Sequence, residues 1–102
     1  MSVFSSLTLG KHSLNNRLVV APMTTTQSHT DGSVSEAESA WLERLARDGY
    51  GMVITCAAAI SKTSIAFPQQ LSLADDGLLP GLTALASRLA PHTLAVVQLC
   101  HG

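Results

Sequence analysis

Charge is scarce in this sequence. Asp, Glu, Lys and Arg make up only 13% of its 102 residues, against roughly 25% in an ordinary soluble domain. Hydrophobic residues reach 46%. A single small domain of this length has too little interior for so much apolar surface, so the composition predicts a part of something larger. The net charge of −1 leaves no basic footprint of the kind nucleic-acid binding needs. No apolar run approaches the roughly 20 residues of a membrane span. Met1 to Phe4 lack the charged start and hydrophobic core of a signal peptide. Cysteine is limited to Cys56 and Cys100, each inside an apolar run. The expectation is two buried free thiols in a reducing cytoplasm rather than a disulfide. There is no CxxC and no His/Cys cluster at ligand spacing, so no metal site is expected. Glycine-rich turns are missing as well. Where a Rossmann unit would carry G-x-G-x-x-G after its first strand, this chain has PMTTTQ, and there is no P-loop. Phosphate binding on a glycine loop finds no support.

What the chain does have is organised around Leu18 to Thr26, LVVAPMTTT. The short apolar run with β-branched Val19 and Val20 reads as a buried strand. Pro22 cannot donate to a neighbouring strand, so the ladder ends there. Met23 and the hydroxyls of Thr24, Thr25 and Thr26 then sit at the mouth of the strand. In parallel α/β proteins ligands bind at such carboxyl ends. The same residues also suit a plain strand followed by a Thr-rich loop.

Leu7 to Leu14 read as a small hairpin with Gly10-Lys11 at its tip, a type II′ pattern. Ser35 opens a helix, with Glu38 completing a capping box. Ala37, Trp41 and Leu45 mark its packed face, widened by Leu42 and Ala46, while Glu36, Glu43, Arg44 and Arg47 are left for solvent. Gly49 ends it. A second main strand is expected over Met52 to Ile60, finishing in Ala57, Ala58 and Ala59. Such small side chains either let something flat approach the backbone or accommodate tight helix packing. Ser61 to Ala74 read as a long irregular loop of the kind that serves binding. A second helix follows, with Pro80 in its first turn and Leu82, Leu85, Ala86 and Leu89 as its stripe. Pro91 stops it. The third strand is Leu94 to Leu99. Its Gln98 is an amide in an apolar run, either satisfied by neighbouring backbone or facing a ligand. Strands this continuously apolar predict a parallel sheet.

Several of these segments resemble one family in order and spacing. Asn16-Arg17-Leu18-Val19-Val20-Ala21-Pro22-Met23-Thr24 is similar to the N-R-(apolar)-x-P-[LM]-[TC] segment of the old yellow enzymes, the FMN-bearing NADH:flavin oxidoreductases. LTLGKHSL resembles their N-terminal hairpin, LPGL the start of their second helix, and VVQLCHG the end of their third strand. The resemblance implies an α/β fold: an N-terminal hairpin plus the first three strands and two helices of a (β/α)8 TIM barrel. Residues 1–102 would be one N-terminal portion of a single FMN-binding domain. It also implies a site. Ala21, Pro22, Met23 and Thr24 would lie along the isoalloxazine of FMN, with the Thr24 hydroxyl near O4. Ala57 would pack near the ring with its backbone accessible, and the Gln98 amide would meet the pyrimidine edge. Thr26 stands where one branch of the family has a substrate-side Tyr.

The family's substrate-holding His/Asn or His/His pair, usual proton-donating Tyr and phosphate grip lie beyond the third strand, and this sequence does not contain them. His101 matches a different histidine of that strand, so no catalytic residue is assigned here. The implied parent reaction carries hydride from NADH or NADPH through FMN to an activated alkene. A chain of this length is expected to be inactive alone and to need the remainder of the barrel, or self-association. The alternative is a non-enzymatic βαβαβ unit, stable only when assembled with other chains.

Overall fold

The computed structural model describes residues 2–102. Met1, part of the leader expectation above, lies outside them. The elements alternate as the sequence implies: β1 (Leu7–Leu9), β2 (His12–Leu14), β3 (Val19–Val20), α1 (Glu36–Arg47), β4 (Met52–Ala59), α2 (Leu79–Leu89) and β5 (Leu94–Cys100), with a 3-10 turn at Asp76–Leu78 before α2.

β1 and β2 pair antiparallel, with Leu9 opposite His12 across the Gly10-Lys11 tip. Gly10 carries φ +58°, as the first central residue of a II′ turn requires. The hairpin lies by the N-terminal ends of the main strands, where His12 and Ser13 share a cleft with Gly51 and Leu94. Asn16 fastens that end: its Oδ1 accepts from Leu18 N and Gly51 N, and its Nδ2 donates to Gly49 O. A Cβ at Gly51 would lie 2.4 Å from Asn16 O, so the close approach requires glycine there.

The main sheet is parallel, in the order β3-β4-β5. α1 and α2 cover one face of it. Val20 and Val53 pack there against Leu42, Ala46, Leu85 and Leu89. The packed face of α1 is therefore centred on Leu42 and Ala46, each 1% exposed, rather than on Trp41 and Leu45, which pack half-buried at its margin. Ala37 is exposed. The apolar periodicity identified the helix but placed its centre about one residue off, because Leu42 and Ala46 are the side chains of α1 that pack into the cluster of Val20, Val53, Leu85 and Leu89. On α2 the buried residues are Leu85 and Leu89; Leu82 is half-buried and Ala86 exposed, since no further element covers that side among the described residues.

Glu43 differs from expectation too. It is not solvated alone but bonded to Arg88 of α2. The expected β3 is shorter than the apolar run, pairing only Val19 with Met52 and Val20 with Val53. The 61–74 segment holds no helix or strand, as expected, but it is anchored to the end of β4. Leu71 is buried, and Ala59 forms a parallel bridge to Ser72, with Ala59 N donating to Leu71 O and Leu73 N to Ala59 O.

Candidate functional site

The C-terminal ends of β3, β4 and β5 lie side by side at one edge of the sheet, because parallel strands present the same end together. β3 stops at Val20 and the chain leaves through Ala21 and Pro22. Met23 is 47% exposed and Thr24 is exposed. The three threonines differ. Thr24 Oγ1 has no hydrogen-bond partner among the described residues. Thr25 Oγ1 is buried and unpartnered. Thr26 adopts φ +50°, uncommon for a β-branched residue, and its hydroxyl donates to Thr25 O at 2.7 Å. Backbone held in that region is what site segments often carry.

Ala57 stands opposite Gln98 in the β4–β5 register, so their side chains share one face of the sheet. That face is the one the helices do not cover. Gln98 is consequently exposed, not buried as its apolar neighbours implied. Its amide makes no side-chain bond among the described residues; only its backbone N–H is held, by Thr55 Oγ1 at 3.4 Å. Ala57 is half-buried, and its carbonyl is not free as expected: Gln70 Nε2 donates to it at 3.2 Å. Gln70 is buried, accepts from Ala66 N through Oε1, and so ties the 61–74 segment to the end of β4.

Between Ile54 and Ala57 the register slips by one residue, a bulge that buries both Thr55 and Cys56. Bulges re-aim side chains and recur next to sites. Here the bulge turns Ala57 to the open face beside Gln98. Nothing in the sequence marks it, since MVITCAAAI reads equally well as an unbroken strand. The Cys56 thiol is pushed up to about 12, by burial first and then by the Glu38 carboxylate, which accepts its S–H. It stays protonated and unreactive at neutral pH.

The family model for the NADH:flavin oxidoreductase / NADH oxidase family matches residues 2–102. The chain belongs to that family. A probable NADH-dependent flavin oxidoreductase of Bacillus subtilis, YqiG, is 43% identical over 90 residues, which cover 87% of this chain and 24% of that protein. The old yellow enzyme homologue of Zymomonas mobilis superposes with a TM-score of 0.90 at 22% identity, covering 99% of this chain and 28% of that one. Old yellow enzyme from Pichia superposes with a TM-score of 0.92 at 19% identity, covering 97% and 26%. The chain thus spans about a quarter of the length of these relatives. Its mixed α/β fold matches the N-terminal portion of the old yellow enzymes. The family's description names a flavin, and the residues present fit such a group. The Gln98 amide and the Thr24 hydroxyl, both without a side-chain partner among the described residues, and the small Ala57 suit the polar edge and flat face of its ring.

Proposed function

We propose that this chain forms the N-terminal, flavin-facing part of a (β/α)8 oxidoreductase that uses NADH or NADPH to reduce an activated alkene such as an enone. FMN, when bound, supplies the hydride chemistry. The chain's own residues bind and orient. Ala21, Pro22 and Met23 form an apolar ledge beside the ring. Thr24 donates its hydroxyl near O4, which stabilises negative charge on the reduced ring and raises its potential. Ala57 leaves room for the ring to approach, and the Gln98 amide, both donor and acceptor, matches the pyrimidine edge. Thr26 faces the substrate side. Residues that hold the substrate oxygen, deliver a proton and grip the phosphate belong to later parts of the barrel. The two free cysteines support a reducing, cytoplasmic setting.

The observation that carries this reading is the register of Ala57 with Gln98 on the face the helices leave open, at the same C-terminal end of the sheet where the chain leaves β3 toward Thr24. A second reading, a non-enzymatic unit that folds only in assembly, is favoured by the apolar side chains on β5. Val97 is 41% and Leu99 63% exposed. Flavin absorbance separates the two. A polypeptide carrying this sequence within a complete barrel should purify yellow and oxidise NADH or NADPH with an enone. In it, Thr24→Ala should keep FMN but lower the flavin potential, by the worth of one charge-assisted hydrogen bond, about 1.5–3 kcal/mol. A colourless protein overturns the enzymatic reading; an unchanged potential removes the role of Thr24.

A further inference from the structure

Glu38 is 1% exposed, an extreme burial for a carboxylate. The S-x-x-E spacing assigns its side chain to the helix cap. Half of that holds: Ser35 Oγ accepts from Glu38 N at 3.1 Å. The carboxylate itself turns inward. Oε1 accepts the Ser28 hydroxyl at 2.9 Å and Oε2 accepts the Cys56 thiol at 3.1 Å. The ion pairs among the described residues involve Glu36, Glu43 and Asp75, and none reaches Glu38. A carboxylate buried against neutral donors only is costly to keep, and an apolar side chain would fill the space more cheaply. Its partners explain what it does. Ser28 is also buried and closes the segment that begins at Thr24. Cys56 sits in the β4 bulge, one residue before Ala57. One rigid side chain on α1 therefore holds, through a separate oxygen each, the two segments that present Thr24 and Ala57.

We propose that Glu38 is a positioning residue that braces the two strand ends of the flavin site, fixing the β3–α1 segment through Ser28 and the β4 bulge through Cys56. The inference rests on the flavin reading above for its purpose, and on the geometry for its mechanics. The bidentate arrangement leaves both Ser28 and Cys56 with a partner for their only hydrogen, so neither is free to bond elsewhere. The raised thiol pKa keeps Cys56 as the donor. An amide in place of the carboxylate can still accept from one partner while a reoriented Ser28 hydroxyl accepts from its NH2, so Glu38→Gln preserves part of the brace.

Amide hydrogen exchange of these residues within the complete barrel, without FMN, tests the mechanics. Glu38→Ala should raise exchange roughly tenfold over residues 23–28 and 56–57 while the Leu85–Leu89 amides of α2 keep their protection. Glu38→Gln should recover part of it. Ser28→Ala should release the 23–28 segment alone and Cys56→Ala the bulge alone, a separation that general destabilisation does not produce. A uniform rise, or no rise, in all of these variants overturns the brace. The purpose is read in the complete barrel reconstituted with FMN, where Glu38→Ala should weaken FMN binding roughly tenfold and Glu38→Gln less. Local release with unchanged FMN binding overturns the positioning role. A wild-type barrel that binds no FMN defeats the flavin reading, and the exchange pattern then decides the brace by itself.

Discussion

Arg88 of α2 closes on Glu43 of α1: its Nε and Nη2 both donate to the one carboxylate oxygen Oε1, at 3.1 and 2.9 Å. Its remaining nitrogen, Nη1, reaches Glu36 Oε2 at 2.9 Å. One guanidinium thus spans two turns of α1 and sets the spacing of the two helices on the sheet. The neighbouring Glu43–Arg47 pair within α1 is longer, 3.4 Å, and more exposed. The planar fork of Arg is what makes such a three-point contact possible.

This clamp predicts a pH dependence. The Arg88 hydrogen bonds hold the Glu43 carboxyl below its ordinary value of 4.5. Asp31 is held below 3.8 by the Ser33 hydroxyl and backbone N–H, and Asp75 by Gly77 N–H and then Lys62. A carboxyl depressed in the folded state contributes stability that is complete above its unfolded pKa and disappears as the pH falls through its folded one. Urea midpoints should hold steady at neutral pH and decline as the pH drops below about 4.5. Glu43→Gln should flatten the first part of that decline and leave the part due to Asp31 and Asp75. An identical decline in Glu43→Gln would remove Glu43 from the account.

The helix face makes a second prediction. Leu42 is 1% exposed and Leu45 half-buried. Leu42→Ala should cost about 2–5 kcal/mol and Leu45→Ala clearly less. Leu85→Ala, 4% exposed on α2, belongs with Leu42. Denaturant midpoints check the order; a larger loss at Leu45 would restore the packed face that the sequence suggests.

The two thiols should behave differently. Cys56 is buried with its pKa raised from 9.0 to about 12, first by burial and then by Glu38. Cys100 is half-buried. At roughly pH 8 an alkylating reagent should label Cys100 in the native chain and reach Cys56 only on unfolding. A group whose folded pKa is raised contributes stability that is complete below the unfolded value and lost as the pH climbs. The native chain should therefore weaken above pH 9.0, and Cys56→Ala should remove that slope. Equal labelling of both thiols in the native state would contradict the buried placement of Cys56.

The sheet edges make a fourth. β3 and β5 each have one neighbour among the described residues, and Val19, Val97 and Leu99 are 45%, 41% and 63% exposed. Open edges beside apolar surface favour association. Sedimentation of the isolated chain should show oligomers or aggregates, and an NADH-oxidation assay should show negligible turnover. A monodisperse monomer that reduces an enone would overturn both the assembly argument and the division of the site across a larger barrel.

Most of the fold was legible in the sequence because its signals are local. Gly10 needs only its own turn geometry, Ser35 only the N–H three residues on, Pro80 and Pro91 only the helix they begin and stop. Apolar runs over Met52–Ile60 and Leu94–Leu99 settle strands by themselves, and Pro22 marks where β3 must lose its ladder. The proposed site segments stand out in the sequence for the same reason, as short motifs at strand ends.

Tertiary structure decided the rest, where a residue's role depends on what stands opposite it. Gln98 is exposed because no element among the described residues covers the open face of β5, which its apolar neighbours do not reveal. The Ala57 carbonyl is occupied because Gln70, distant in sequence, folds back to it. The β4 bulge arises from pairing with β5 and has no mark in MVITCAAAI. Glu38 reads as a cap residue from its spacing, but Ser28 and Cys56 meet only after α1 docks on the sheet, and their two hydrogens turn its carboxylate inward. Local chemistry sets which elements form; the contacts between elements set which side chains remain free to act.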